Sequence, residues 1–230
     1  MIIAIDGPAG SGKSTTARAL AQALGGYYLD TGAMYRAMAL AFDRSGAPYT
    51  SEGALAIIDG IRIDLTSDHG DLRVLLGGED VSEEIRTPDA SRLASVVSRI
   101  PSVRDKLVLE QRRLAGRFSD DGFATVVEGR DIGTVVFPDA EVKFFMIADL
   151  EARAHRRLLD LVAKGESADL SEVMEDIVAR DRQDEQRDHS PLRQADDAVL
   201  IDTSAMTPSQ QLEAMLEVIR SRGFEIRRAQ

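Results

Sequence analysis

The chain has 230 residues, of which 43% are apolar, which suits one large domain with appendages or one large and one small domain. It contains no cysteine, which excludes disulfides and thiolate metal sites. With 28 basic and 39 acidic residues, the formal net charge is −11, so a broad basic surface for nucleic acid is not expected.

The first apolar run, residues 1–5, is too short for a signal peptide, and no later run approaches membrane-spanning length. We therefore expect a cytoplasmic protein that binds neither membranes nor nucleic acid. Its cations are 24 arginines and only four lysines. Because the planar guanidinium group suits phosphate and carboxylate recognition, arginines close to a phosphate site are of particular interest.

A glycine-rich loop follows the first predicted strand and precedes a predicted helix over residues 15–24. In this context the pattern G-x-x-x-x-G-K-S predicts a nucleotide-phosphate site, the P-loop. Backbone N–H groups would surround phosphate oxygens, Lys13 would reach the β- and γ-phosphates, and the Ser14 hydroxyl would bind Mg²⁺. The residues concerned are Gly7, Pro8, Ala9, Gly10, Ser11, Gly12, Lys13, Ser14 and Thr15.

A second short strand is predicted over residues 27–29, followed by a helix over residues 33–44 with Thr31 as its cap. Tyr35 and Arg36 fall on the first turn of that helix, close to the carboxyl ends of the strands. Ligands collect at this edge of open parallel sheets. Arg36 is therefore a candidate for a second phosphate, with a surface salt bridge as the alternative.

Residues 61–65 and 71–75 alternate between apolar and polar side chains, and a turn signal at residues 67–70 separates them. A third short segment, residues 79–82, follows two glycines. These three segments predict a small antiparallel insert in an otherwise α/β chain. Helical periodicity returns at residues 89–99 and 103–117, with Pro101 near a helix start.

The next buried strand is predicted over residues 123–127 and leads into Glu128, Gly129, Arg130 and Asp131. Charged residues directly after a core strand lie where a ligand site is expected. Further strands are predicted at residues 142–147 and 199–203, and further helices at 150–164, 170–187 and 208–222, before a frayed tail at 225–230.

Two of these helices carry arginines at regular spacings. Arg153 and Arg157 share one face of the helix over residues 150–164. Arg180, Asp184 and Arg187 project from one side of the helix over residues 170–187. Their alternative role is a solvated ladder of ion pairs.

The rest of the sequence does not fit a P-loop protein of the GTPase class. A guanine-specific GTPase reads its base with an Asn-Lys-x-Asp motif, and this sequence has no asparagine. The separate arginines instead suit two phosphate-bearing ligands that meet in one cleft. If the acceptor is a phosphate monoester, its attacking oxygen is already anionic near pH 7 and no general base is required.

Several motifs together resemble the bacterial cytidylate kinase family over nearly the whole chain. They are IDGPAGSGKST (residues 5–15), LDTGAMYR (29–36), GEDVSEEIRT (78–87), EGRDIGTVVFPDA (128–140), RAHRR (153–157) and RDRQDEQR (180–187). The resemblance implies Mg²⁺-assisted in-line transfer of the γ-phosphoryl group of ATP to CMP or dCMP, without a general base. It also implies a P-loop three-layer α/β/α fold with a mainly parallel five-stranded sheet.

The resemblance further implies roles for individual residues. The CMP phosphate would be held by Arg36, Arg130 and Arg187, the cytosine edge read by Ser95, Arg104 and Asp131, and the sugar contacted by Arg180 and Asp184. Thr31 and Tyr35 are expected in the same substrate site. Lys13, Arg130, Arg153, Arg157 and Arg187 are the expected catalytic residues, with Arg153 and Arg157 reaching the ATP phosphates from a mobile lid.

The expected domains are a core (residues 1–60, 88–152 and 190–230), a CMP-binding insert (61–87) and a helical lid (153–189), in a monomer. Three serines of one helix, Ser91, Ser95 and Ser98, leave the register of the base-reading hydroxyl open, and Gln183 stands where some relatives carry a basic residue. A kinase for UMP, dTMP or shikimate, and a slowly hydrolysing regulatory switch, are the alternatives.

Overall fold

A five-stranded parallel sheet forms the centre of the computed structural model, which describes residues 1–68, 71–120, 122–163 and 165–224. The strands in chain order are β1 (Ile2–Asp6), β2 (Tyr27–Asp30), β3 (Ile63–Asp68), β4 (Asp71–Leu76), β5 (Glu79–Asp80), β6 (Thr125–Gly129), β7 (Val142–Ile147) and β8 (Val199–Asp202). The central sheet has the order β2-β6-β1-β7-β8, and all its pairings are parallel.

Helices cover both faces of this sheet. They are α1 (Lys13–Ala23), α2 (Thr31–Ser45), α3 (Ser51–Ile57), α4 (Pro88–Val97), α5 (Pro101–Asp120), α6 (Leu150–Ala163), α7 (Leu170–Glu185) and α8 (Pro208–Ser221). Ile3 and Ile5 of β1 pack against α1 and α8, whereas Ala4 between them faces the core formed with α2 and α5. This alternation follows from the two-residue period of a strand. The predicted three-layer α/β/α fold is confirmed.

The small antiparallel insert is confirmed as well. Strand β4 pairs with both β3 and β5 in antiparallel register. Ile63, Leu65 and Val74 point into the same core as α2, so the insert is packed against the main sheet's helices. The tip of its predicted turn, residues 69–70, and the predicted tail, residues 225–230, lie outside the described residues.

Several details of the chain differ from the sequence-based prediction. Thr31 is not the cap of α2: the Asp30 carboxylate accepts the Ala33 N–H at 2.9 Å, while the Thr31 hydroxyl donates to the Glu128 carbonyl at 2.7 Å. Strand β6 begins two residues later than predicted, because Phe123 is exposed. Helix α3 was not predicted.

The turn after β6 takes a π-helical form over Ile132–Val136, which was also not predicted. Helices α6 and α7 pack against each other through a small apolar cluster that includes Ala154, Val173 and Ile177. Within the described part of the chain, no helix is both long and apolar enough to cross a membrane.

Candidate active site

The P-loop lies between β1 and α1, and its three glycines all have positive φ: 150° at Gly7, 76° at Gly10 and 91° at Gly12. A Cβ atom at Gly7 would lie 2.1 Å from the carbonyl oxygen of Met146 on β7. Glycine at this position therefore meets both a conformational and a steric requirement. The backbone can then curl into the anion-binding concavity that the sequence predicts.

Lys13 is folded back into this loop. Its ammonium group donates to the Pro8 carbonyl at 2.6 Å and to the Ser11 hydroxyl at 3.3 Å, and the residue is 5% exposed. Burial, together with the charge of Arg130, lowers the pKa of Lys13 well below its ordinary value. An anionic ligand in the loop would offset this penalty and favour the charged ammonium group.

Ser14 connects the P-loop to the end of β6. Its hydroxyl donates to one oxygen of the Glu128 carboxylate at 2.9 Å, and the Tyr28 hydroxyl donates to the other oxygen. Burial raises the pKa of Glu128 above its usual range. The sequence placed Glu128 where a ligand site is expected, at the carboxyl end of a buried strand, but assigned it no role. Tyr28 was predicted only as a strand residue.

Asp6 ends β1 and holds the π-helical turn in place. Its two carboxylate oxygens accept the N–H groups of Ile132 at 2.8 Å and of Gly133 at 2.7 Å. Burial raises the pKa of Asp6 to about 6, although these two hydrogen bonds favour the ionised form. The segment that carries Arg130 and Asp131 is thereby fixed to the strand that carries the P-loop.

A cleft next to the P-loop brings together all ten residues that the sequence assigns to an acceptor site. They come from α2, α4, α5, α7 and the segments after β6 and α7, since α7 ends at Glu185, two residues before the predicted end. They are Thr31, Tyr35, Arg36, Ser95, Arg104, Arg130, Asp131, Arg180, Asp184 and Arg187. Gly32, Ser91, Ala94, Ser98 and Gly129 line the same cleft. These elements are distant in sequence, and the fold collects their side chains around one space.

One end of the cleft is strongly cationic. The buried Asp184 carboxylate accepts from Arg130 Nε at 2.7 Å and from Arg187, and these cations hold its pKa below the usual range despite its burial. Burial and the neighbouring charge of Arg130 lower the pKa of Arg180 to about 10. Arg36 pairs with Asp30 at 3.1 Å on the same side. The arginines outnumber the carboxylates here, so this end can accept an anion.

The other end of the cleft carries a buried ion pair. Arg104 donates to Asp131, and the Arg104 guanidinium lies 5.9 Å from the centre of the Tyr35 ring. Burial raises the pKa of Tyr35 to about 12, so its hydroxyl stays protonated near neutral pH. Burial also raises the pKa of Asp131, and the charges of Arg104 and Arg187 act against that shift.

Ser91 and Ser95 of α4 and Ser98, its C-terminal cap, have different hydrogen-bond partners. The Ser91 hydroxyl donates to the Thr87 carbonyl at 3.2 Å, and the Ser98 hydroxyl donates to the Ser95 carbonyl at 2.9 Å. Both hydroxyl hydrogens are therefore used within this helix and its flanks. The Ser95 hydroxyl instead donates across the cleft to Gln183 on α7 at 2.9 Å.

Helix α6 presents arginines to the P-loop. Arg153 donates to the Ala9 carbonyl at 3.2 Å and to Asp181 on α7 at 2.5 Å. Arg157 lies one turn further on, and its charge is among those that lower the pKa of Arg180. Arg156, which was not predicted as a site residue, donates from Nη2 to the carbonyl and from Nη1 to the hydroxyl of Thr203 after β8, and the same Nη1 lies 3.5 Å from the Gly10 carbonyl.

The two halves of the site are close enough to influence each other. Arg130 and Arg180, which line the cleft, are among the charges that lower the pKa of Lys13 in the P-loop. A phosphate in the loop and an anion at the cationic end of the cleft would therefore lie side by side. Repulsion between them would be reduced by the arginines and Lys13.

The oxygen donors near the P-loop fit a magnesium ion. Ser14 Oγ and a Glu128 carboxylate oxygen lie together at the mouth of the loop, and magnesium prefers oxygen ligands, retaining several waters and binding substrate phosphates. No group of three or more acidic or histidine side chains suited to a metal occurs among the described residues. The donor set therefore suits a metal that arrives with a nucleotide.

Comparison with known proteins identifies the same family over the whole chain. The family model for cytidylate kinase matches residues 3–221. A cytidylate kinase of Geobacter sp. (strain M21) is 48% identical over 223 residues, covering 96% of this chain and 94% of that protein. A cytidylate kinase of Syntrophotalea carbinolica is 51% identical over 223 residues, covering 96% of this chain and 93% of that protein.

The likeness to solved structures concerns the fold alone. A protein of uncharacterised function from Eubacterium ventriosum superposes with a TM-score of 0.51 at 11% identity, covering 96% of this chain and 99% of that one.

Proposed function

The chain belongs to the cytidylate kinase family, and from this premise we propose that it transfers the γ-phosphoryl group of ATP to CMP or dCMP. The products are ADP and CDP or dCDP. The observation that carries the proposal is the position of the arginine-lined cleft beside the P-loop, with Arg130 and Arg180 close enough to Lys13 to lower its pKa.

On the donor side, residues 7–15 bind the phosphates of ATP through backbone N–H groups and Lys13. Lys13 releases its contacts with Pro8 and Ser11 and reaches the β- and γ-phosphates. Arg153 and Arg157 of α6 neutralise charge on the transferred group. The contact of Arg153 with the Ala9 carbonyl supports this assignment, because it brings the guanidinium group to the rim of the loop.

On the acceptor side, Arg36, Arg130 and Arg187 hold the phosphate of CMP. Arg180 and Asp184 contact the sugar, while Thr31 and Tyr35 complete the wall of the cleft. Ser95, Arg104 and Asp131 read the cytosine edge. The presence in one cleft of several arginines around Asp184 and of the buried Arg104–Asp131 pair supports this assignment.

The reaction needs no general base. The attacking oxygen belongs to a phosphate group that is already anionic near neutral pH. The residues therefore align two nucleotides and neutralise the repulsion between them. Ser14, with Glu128 behind it, would hold a magnesium ion, which supplies positive charge to the β- and γ-phosphates.

Residues 61–87 form the CMP-binding insert and residues 153–189 the lid, which closes over the donor phosphates and excludes water. The remaining residues form the core. The protein works as a cytoplasmic monomer that binds nucleotides. The packing of α6 on α7, together with the contacts of Arg153, supports a lid that moves as one unit.

The test is a panel of acceptors with Mg-ATP, in which ADP release is measured for CMP, dCMP, UMP, dTMP, shikimate and buffer alone. We expect CMP and dCMP to give the highest kcat/KM values. Faster turnover with another acceptor would assign a different kinase activity. Turnover with CMP no faster than with buffer alone would favour the regulatory switch and refute the kinase.

A further inference from the structure

A side-chain hydrogen bond joins α4 to α7. Ser95 Oγ donates to Gln183 Oε1 at 2.9 Å, and 88 positions separate the two residues in sequence. Ser95 lines the cleft, as do Arg104 and Asp131, and Gln183 is exposed on α7. The hydroxyl groups of Ser91 and Ser98 both donate to backbone carbonyls.

A serine hydroxyl has one hydrogen to donate and two lone pairs that accept. Because Gln183 takes the hydrogen of Ser95, the lone pairs are what Ser95 offers to a ligand in the cleft. The hydroxyl is therefore set as an acceptor. Asp131, which lines the same cleft, also presents carboxylate oxygens, so both groups favour a ligand that donates hydrogen bonds.

We propose that Gln183 is a specificity-determining residue that acts through Ser95, by fixing the Ser95 hydroxyl as an acceptor toward the nucleobase. The inference rests on the proposed function and deepens it. Cytosine carries an exocyclic amino group, a donor, where uracil carries a carbonyl oxygen, an acceptor. A Ser95 hydroxyl without a free hydrogen matches the amino group and opposes the carbonyl.

The hydrogen bond also makes this selectivity depend on the position of α7. Gln183 lies on α7 together with Arg180 and Asp184, and Arg187 follows just after the end of this helix. Arg180, Asp184 and Arg187 line the cationic end of the cleft. When α7 is seated against α4, Ser95 is an acceptor. When α7 moves away, Ser95 regains a free hydrogen and can bind either base. Base selection and lid position are thereby coupled.

Two substitutions of the exposed Gln183 distinguish a residue that accepts a hydrogen bond from Ser95 from one that donates a hydrogen bond to it. Gln183→Glu keeps only acceptor oxygens, so Ser95 must still donate to residue 183. Gln183→Lys offers only donors, so Ser95 must accept from residue 183 and its hydrogen becomes free for a ligand. Gln186→Lys adds the same charge three residues later, at the exposed end of α7, and serves as the control.

The measurement is the ratio of kcat/KM for CMP to kcat/KM for UMP. Both substrates carry the same phosphate, so a general effect of charge on phosphate binding cancels in this ratio. We expect Gln183→Lys to lower the ratio about tenfold, as for one misdirected hydrogen bond. Gln183→Glu and Gln186→Lys should keep it within about twofold of the unsubstituted protein, a change too small for one hydrogen bond.

A double substitution completes the test. With Ser95→Ala in place, Gln183→Lys should no longer change the ratio, because no hydroxyl remains to be redirected. A ratio that stays constant in Gln183→Lys, or that falls equally in Gln183→Glu, would overturn the role of Gln183 while leaving the kinase intact. Absence of CMP-dependent ADP release from the unsubstituted protein would instead overturn the proposed function.

Discussion

Arg104 and Asp131 form an ion pair that is almost completely buried, with 5% and 7% of their side chains exposed. They come from α5 and from the segment after β6, 27 positions apart. Removing two charges from water is costly, and their mutual attraction offsets this only when the geometry is good. Such a pair at the wall of a cleft is better explained by ligand recognition than by stability.

Asp131→Asn tests that explanation. The substitution keeps the shape of the side chain but leaves the buried Arg104 charge without a carboxylate partner. We expect the CMP/UMP ratio of kcat/KM to fall about tenfold and the free energy of unfolding to fall by about 3–5 kcal/mol. The KM for ATP should not change. Asp139→Asn, at an exposed position in the following turn, is the control, and an unaltered base preference in Asp131→Asn would remove Asp131 from the base site.

Lys13→Ala should abolish phosphoryl transfer without unfolding the protein. Loss of a preorganised cation at the transferred group is expected to lower kcat by about 10²–10³-fold. Removing a buried ammonium group with a strongly lowered pKa should leave the melting temperature nearly unchanged. Steady-state rates and thermal melts check both points. Lys106→Ala, which breaks an ion pair with Glu110 on α5, is the matched control, and comparable turnover in the two variants would contradict the role of Lys13.

Arg187→Ala should act on the acceptor side. Arg187 is one of the two arginines that hold Asp184, and it lines the cationic end of the cleft. We expect the KM for CMP to rise about tenfold and kcat to fall, because a charge-assisted contact to phosphate is lost. Arg182→Ala, a substitution of an exposed arginine on α7, should match the unsubstituted protein. If the KM for ATP alone rises, Arg187 belongs to the donor side.

Tyr28→Phe should destabilise the protein although the aromatic ring remains. The lost hydroxyl leaves one oxygen of the buried Glu128 carboxylate without its donor. The free energy of unfolding should fall by about 1–2 kcal/mol. Tyr27→Phe is the control, since the Tyr27 ring stacks on Phe118 with 4.0 Å between centroids and would keep that contact. Urea unfolding of both variants makes the comparison, and equal effects would argue against the Tyr28–Glu128 hydrogen bond.

Asp6 should give the stability a characteristic pH dependence. Its pKa is about 6 in the folded protein, against an ordinary value of 3.8. Between these values the folded protein keeps a proton that the unfolded chain releases, so the Asp6 contribution to stability falls as pH rises from about 4 to 6. The change amounts to about 2–3 kcal/mol.

The check is urea unfolding of the unsubstituted protein and Asp6→Asn at several pH values between 4 and 7. Asparagine does not titrate, so the difference between the two proteins isolates Asp6 from the other carboxylates. The unsubstituted protein should lose stability relative to the variant across the window and show no further relative change above it. Parallel curves would mean that Asp6 keeps an ordinary pKa.

The order of strands and helices could be predicted because the hydrophobic period changes clearly along the chain. Strand β7 was predicted with the bounds that it has, since its apolar run is flanked by turn residues on one side and an amphipathic helix on the other. The start of β6 was misplaced because Phe123 is apolar although 44% exposed, and it packs edge-on against the Tyr27 ring. Local pattern does not reveal such a surface contact.

Features that depend on distant residues could not be predicted. The π-helical turn is held by Asp6, more than 120 positions away, and the sequence of the turn itself does not predict this conformation. The residues of the cleft were named from motifs, but their pairing was not: Arg130 meets Asp184 across 54 positions, and Ser95 meets Gln183 across 88. Pairings of this kind follow from the three-dimensional arrangement of several elements.

The place of β1 in the sheet has a consequence for synthesis on the ribosome. Both edges of this apolar strand are covered by β6 and β7, whose residues emerge more than 120 positions later. A nascent or truncated chain that ends before residue 125 therefore leaves both edges of this apolar strand without hydrogen-bond partners. Premature termination in the middle of this protein should yield aggregating fragments, and the nucleotide loop can reach its working shape only after more than half of the chain has been made.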